Sequence, residues 1–277
     1  MPNYIDLVGE YYPDSQVTST GDPSVYNNLV WITTAISQED LDLVYLSDYK
    51  ANKIIEFSEL AREDIVNGFD SSALGSPHLY ASEPEDQLNL IGSVSSGVTM
   101  PYSCRAYTSG YQVVDVGGAK IGTDSTGFSN DTTQYSLEVQ VDGSSSYLAI
   151  QGSDAQTFDS LITQMNLDAD FSALATAAIN NGNIEITSNS FGSSSTVNIV
   201  IGSLVSSLTG YVRVQTAVDG IDGIDNTKVF ETHTNAQLMT VLNDGAVVKL
   251  TVLQKFNTKK EQILNAVDVA AVDAITW

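Results

Sequence analysis

The residue types that most often do chemistry are scarce in this chain. There are two histidines, His78 and His233, far apart in sequence, and one cysteine, Cys104. No HExxH zinc helix, GxSxG nucleophile turn, Walker phosphate loop or CxxC pair occurs. Nothing local therefore sets a base beside a nucleophile, and a Ser–His–acid set would have to assemble from distant segments around one histidine. His78 follows Pro77 and is expected as a capped loop residue. Carboxylates are plentiful, but no pair is flanked by the apolar sequence that raises one pKa for acid–base work. A glycosidase-like pair is thus unsupported. Neither a catalytic residue nor a cofactor is expected, and the chain is not expected to be an enzyme.

One stretch needs weighing for a metal: Asp219-Gly220-Ile221-Asp222-Gly223-Ile224-Asp225. Calcium takes roughly six to eight oxygen ligands, which aspartates and glycine-flanked carbonyls can supply. Asp219, Asp222 and Asp225 are the weak calcium candidates. The same run also reads as consecutive Asp-Gly turns, and the EF-hand spacing with its distal glutamate is missing. The sequon Asn130-Asp131-Thr132 reads as a chance match. Thirteen tyrosines against eight phenylalanines fit amphipathic contact surfaces. Exposed tyrosines between 102 and 147 would stack on sugar rings; half-buried strand tyrosines are the plainer reading.

Charge narrows the partners. Eleven basic residues against thirty-four acidic ones give a net charge of −23 over 277 residues. Such a surface repels phosphate backbones and anionic membranes, so nucleic acid is not an expected partner. With 42% hydrophobic and 16% charged residues, the composition is that of a folded chain. A single cysteine permits no intrachain disulfide. The first fourteen residues lack a basic region and an apolar run, so no signal peptide is expected. No stretch approaches the roughly 18 apolar residues of a membrane helix, so no membrane insertion is expected.

The elements follow from periodicity. Residues 1–28, with Pro2, Pro13, Gly21, Pro23 and scattered tyrosines, read as an extended arm with one short strand. Ser37 followed by Asp40 marks a helix start, and helix formers run to Asn67-Gly68. Ile54, Phe57, Ala61 and Ile65 form one stripe on it. A short helical piece is expected near 85–91. From Leu137 the period is two: Leu137, Val139 and Val141 alternate with polar residues, Asp142-Gly143 turns the chain, and a second run follows. Ser153 with Gln156 reads as a capping box ahead of a helix bearing Phe158, Leu161, Ile162 and Met165. Alternation returns from Leu174 to Ile179, turns at Asn181-Gly182, and ends at Ile201. Thr234 with Gln237 opens another helix, broken at Asn243-Asp244-Gly245. A last helix carries Val252, Phe256, Ile263, Val267 and Ala271 on one face. Between 111 and 226 only Lys120 and Arg213 oppose thirteen carboxylates, a composition shift that marks a separate insert.

The expected fold class is α+β: a long-helix base formed by the N- and C-terminal segments, packed antiparallel, with an inserted β-rich α+β module. The domains are a 1–28 arm, a helical anchoring domain of 29–110 with 227–277, and the module 111–226. An insertion is tolerated where its two ends lie close together.

Two resemblances attach to these segments. Residues 57–62, 68–69, 73–80, 86–90 and 101–104, including Ser76-Pro77-His78-Leu79-Tyr80, together with 259–263 and 274–277, resemble a domain-of-unknown-function family of bacteriophage tail and tail-fibre proteins. The match covers roughly 50–107 and 227–277 and is interrupted by the extra central residues. Residues 137–201, through Val139 to Gly143 and Gly182 to Ser188, resemble the modules inserted in flagellin and hook-associated proteins. The resemblances imply a virion structural protein of the tail fibre, tail tip or neck, made in the host cytoplasm. Its implied partners are other virion proteins, copies of itself and a host cell-surface glycan. A carbohydrate-binding adhesin, a capsid or collar decoration protein and a hydrolase of host polymers are the rival expectations.

Overall fold

The computed structural model describes residues 3–116, 124–200, 202–209 and 212–277. Pro2, Lys120 and Ile201, which entered the sequence expectations, lie outside them. The chain begins with α1 (Tyr4–Tyr11), β1 (Val17–Ser19), β2 (Leu29–Trp31), α2 (Gln38–Val66), β3 (Phe69–Ser71), β4 (His78–Tyr80) and α3 (Pro84–Ser96). It continues through β5 (Met100–Ala106), β6 (Tyr111–Asp115), β7 (Gln134–Val141), β8 (Ser144–Gln151), α4 (Phe158–Leu167), α5 (Ala169–Leu174) and β9 (Ala175–Asn180). It closes with β10 (Asn183–Ser188), β11 (Val197–Val200), α6 (Ser203–Ser207), β12 (Arg213–Val214), β13 (Val229–His233), α7 (Asn235–Asn265) and α8 (Val269–Asp273). Helix takes 44% and strand 25% of the chain, a mixed composition compatible with α+β. Among the described residues no helix is long and apolar enough to cross a membrane.

Two compact units share these elements: Met1–Gly68, Ser82–Glu85 and Gly245–Trp277 form one, Phe69–Ala81 and Asp86–Asp244 the other. In the first, Ser37 caps α2 by accepting the Asp40 N–H at 3.1 Å, and Gly68, at φ 101°, ends it. Phe57 of α2 is buried with Ile263 of α7 and Val272 of α8, and Ile54, Phe256 and Trp277 pack around them. Polar ties run alongside. Tyr49 donates to Asp273 at 2.6 Å, Lys50 to the Leu264 carbonyl at 2.9 Å, and the Trp277 indole to Asp64 at 2.9 Å.

Three expectations change here. The N-terminal segment is not an extended arm: Asn3 accepts N–H groups of Ile5 and Asp6 and starts α1, whose Tyr4, Leu7 and Val8 are buried with Leu29 and Leu41. The one short strand of that segment is β1, paired antiparallel with β2. Asn243-Asp244-Gly245 does not break the helix; α7 runs through it. A glycine costs a helix only about 1 kcal/mol, which the packing of Ile263 and Phe256 on the same helix offsets. Finally, Val267 lies beyond α7 and is 82% exposed, whereas Val272 is fully buried.

The second unit carries three sheets, ordered β12-β6-β10-β9, β11-β7-β8 and β13-β5-β4-β3, every pairing antiparallel. The first two share one apolar core with α4, α5 and α6: Leu137, Val139 and Val141 of β7 meet Leu148, Phe158, Leu161, Ile184 and Val197. Both hairpin turns take the conformation their sequences require, with Asp142 at φ 52° and Gly143 at 79°, Asn181 at 50° and Gly182 at 75°. The α4 cap differs from the expectation. Thr157 and Ser160 form the reciprocal box, while Gln156 donates to the Gly152 carbonyl at 2.6 Å instead. Helix α5, capped by Asp168, occupies residues up to Leu174, so alternation starts only at Ala175. Helix α3 extends the short piece expected at 85–91 to thirteen residues.

Candidate functional site

His78 and His233 are both strand residues with assigned structural work. His78 is 7% exposed in β4, not in a loop, and its Nδ1 lies 2.8 Å from the Ser76 carbonyl oxygen. A carbonyl only accepts, so that nitrogen carries the proton. His233 ends β13 and is fully buried. Its Nδ1 lies 2.8 Å from the Glu231 carbonyl, and its Nε2 accepts from the Tyr80 hydroxyl at 2.8 Å. Both ring nitrogens are therefore occupied. Phe69 and Tyr102 stack on the Tyr80 ring, and Tyr102 meets His233 edge-on. Burial pushes the Tyr102 phenol up to about 12 and raises Tyr80 and Cys104 as well. A sealed thiol with a raised pKa is not a nucleophile. This cluster packs the β13-β5-β4-β3 sheet together.

The acidic run is also used structurally. Asp222 accepts the Ser193 N–H at 2.8 Å and the Ser193 hydroxyl at 2.7 Å. These two bonds, the hydroxyl's first, hold its carboxyl below the usual aspartate value. Asp225 closes a turn back to the Asp222 carbonyl at 3.1 Å. Among the described residues no group of three or more His, Cys, Asp or Glu could hold a metal ion, so Asp219, Asp222 and Asp225 do not converge on one.

That tie belongs to a three-way crossing of backbone. The chain leaving β5 and the chain returning to β13 run side by side: Val229 pairs with Cys104, Thr108 and Ile221 exchange bonds at 3.0 and 3.3 Å, and Tyr111 bridges Val218. The 190–196 segment joins them, with Gly192 N–H donating to Thr108 and Gly220 N–H to Ser195, both at 2.9 Å. Such closeness excludes side chains. A Cβ on Gly110 would sit 2.2 Å from the Ser195 carbonyl oxygen, and one on Gly220 2.3 Å from that of Gly192. From sequence Gly220 read only as a turn residue, because the segments it separates are remote in the chain.

A polar cleft of about 270 Å³ opens on the β12-β6-β10-β9 sheet, lined among others by Tyr111, Asn180, Asn181, Asn183, Glu185 and Gln215. Asn180 donates to Glu185 at 2.9 Å, which orients the pair, and Asn183 accepts the Val116 N–H at 3.2 Å. Side-chain amides both donate and accept, so the lining suits a ligand rich in hydroxyls. The tyrosines between 102 and 147 follow the plainer of the two expectations. Tyr102 and Tyr135 are buried, Tyr107 and Tyr111 half-buried, and Tyr147 alone, at 70%, is widely exposed. The cleft residues come from β6, β9, β10, the turn between the last two and the segment after β12; of them the sequence placed only Asn181, as a hairpin turn. No known protein-family pattern matches this chain, and no curated protein matches it in sequence.

Proposed function

We propose that this chain is a structural component of a bacteriophage particle, in the tail fibre, tail tip or neck, which is anchored through helices from its two ends and displays residues 111–226 as an inserted module. The observation that carries the insertion is the paired course of 104–111 and 218–229. A module whose two ends lie side by side can be added to a host fold without opening it. The virion assignment draws on the resemblance of the flanks to tail and tail-fibre proteins. Function on this reading is assembly and display. Apolar faces bury against other virion proteins and copies of the chain, and the acidic exterior keeps particles apart.

The test is excision. Joining Gly110 to Gly220 directly removes residues 111–219, all of the module but its last seven residues. The shortened protein should keep the helicity of α2 and α7 and a cooperative melt, and should still appear in purified particles by mass spectrometry. Loss of folding would overturn the inserted-module reading; absence of the full-length chain from particles would overturn the virion reading.

A second reading has one observation in its favour. The amide-lined cleft would let the module hold a host-surface glycan. Binding of the intact protein to a glycan array, lost in Asn181→Ala with Gln215→Ala, would support it; an array without binding would end it.

A further inference from the structure

Helix α7 is apolar on two sides. One side is covered: Ile263 is buried, with Phe256 packed beside it against Phe57 and Val272. On the other side Ala246, Leu250, Leu253, Asn257, Lys260 and Leu264 succeed one another at spacings that alternate between four and three. That spacing keeps residues in line on a helix wound at about 3.5 residues per turn. All six are exposed. Leu250 is 56%, Leu253 41% and Leu264 47% exposed, and Val247 beside them is 63% exposed. Upstream in the sequence, Asn243 and Met239 continue the same spacing.

We propose that this row is the seam of a parallel, in-register coiled coil between copies of this chain. Asparagine identifies the occupant. Asn243 and Asn257 alternate with Leu250 and Leu264 at one core position of the heptad. A buried amide without a partner costs about as much as one buried leucine returns. Opposite an identical helix in the same register, each asparagine meets an asparagine, and each amide both donates and accepts. An unrelated apolar helix offers these amides no partner, and a copy running the other way would set them against the second core position, which holds Met239, Ala246, Leu253 and Lys260 and no amide. Asparagine at this position selects register and orientation at a cost in stability.

Charge agrees with the assignment. α7 bears Lys249, Lys255, Lys259 and Lys260 against Asp244 and Glu261, in a chain whose net charge is −23. Copies approaching along it are spared the carboxylate repulsion that the rest of the surface imposes. Lys260, the one charged member of the row, can lie its stem along the seam and turn its ammonium to the rim, away from the Lys260 of the other copy. The seam does not depend on the functional reading above; it follows from α7 whether or not the chain enters a particle.

The experiment is the solution mass of the full-length protein by sedimentation and light scattering, from low to high micromolar concentration. The wild type should be a dimer or trimer. Leu250→Glu with Leu253→Glu should cut the mass to that of one chain while the far-ultraviolet helix signal stays unchanged, because both residues are exposed within the chain. Should that variant lose helix, Leu264→Asp near the end of α7 asks the same question with less perturbation. Asn243→Cys and Asn257→Cys, made separately, should each cross-link to its counterpart under mild oxidation; two positions fourteen residues apart both meet their copies only in parallel, in-register helices. A monomeric wild type, or full mass retained by a folded seam variant, overturns the interface. An oligomer that does not cross-link through both positions overturns its register.

Discussion

The Tyr80 hydroxyl donates to His233 Nε2 at 2.8 Å inside the second unit, where neither residue has any solvent exposure. They are 153 positions apart in the chain. The bond clamps β4 to the end of β13 across the intervening β5. Tyr80→Phe keeps the ring and removes the donor, leaving a buried nitrogen without a partner. The expected loss is about 1–3 kcal/mol in chemical denaturation, with no loss of any surface property. A change below a few tenths of a kcal/mol would mean that the bond is not made in solution.

Glycines at the crossing separate close approach from backbone freedom. Gly110→Ala drives a methyl into the Ser195 backbone and should cost about 1–3 kcal/mol in thermal or urea unfolding. Gly143→Ala meets open space but sits at φ +79°, so only the left-handed conformation is penalised, by about 1 kcal/mol. Equal effects would mean that the three segments do not cross as closely as described.

Asp142, whose carboxylate is partly desolvated, is one contributor to the pH dependence of stability. Burial by itself raises its pKa, but hydrogen bonds from Ser190, Thr196 and Ser188 outweigh that and hold it below the usual 3.8. A lowered folded-state pKa contributes stability that is present above the unfolded value and lost as pH falls through the folded one. Melting temperature of the wild type should therefore decline once pH passes below about 4. Asp142→Asn should be less stable at neutral pH and show a shallower acid decline. A parallel pair of curves would remove Asp142 as a contributor.

Packing in the first unit distinguishes two neighbours on the sequence that look alike. Ile263→Ala opens a cavity beside Phe57 and Val272 and should cost about 2–5 kcal/mol. Val267→Ala, at an exposed site, should stay within about 0.5 kcal/mol. Comparable losses would place Val267 in the core.

Much of the local architecture was legible because it depends on residues a few positions apart. Asp142-Gly143 and Asn181-Gly182 demand positive φ, and alternation on either side of them makes the β7–β8 and β9–β10 hairpins. Ser37 and Thr234 start their helices through side chains three residues from the N–H groups they satisfy. Where two local signals compete, the sequence misleads. Gln156 had the spacing of a cap for Ser153, yet Thr157 with Ser160 won, and the turn residues around 243–245 yielded to the helix on both sides of them.

The chain by itself determined periods, turns and caps, since those are written within one or two helical turns of backbone. It also carried the four-three row on α7. Only the tertiary structure decided that this row stays uncovered while Ile263 is buried, and that Val272 rather than Val267 enters the core. It alone brought Asn180, Glu185 and Gln215 to one cleft and Gly110, Gly192 and Gly220 to one crossing. Burial is a relation between segments distant in sequence, and no local spacing encodes which of two apolar faces will find a partner.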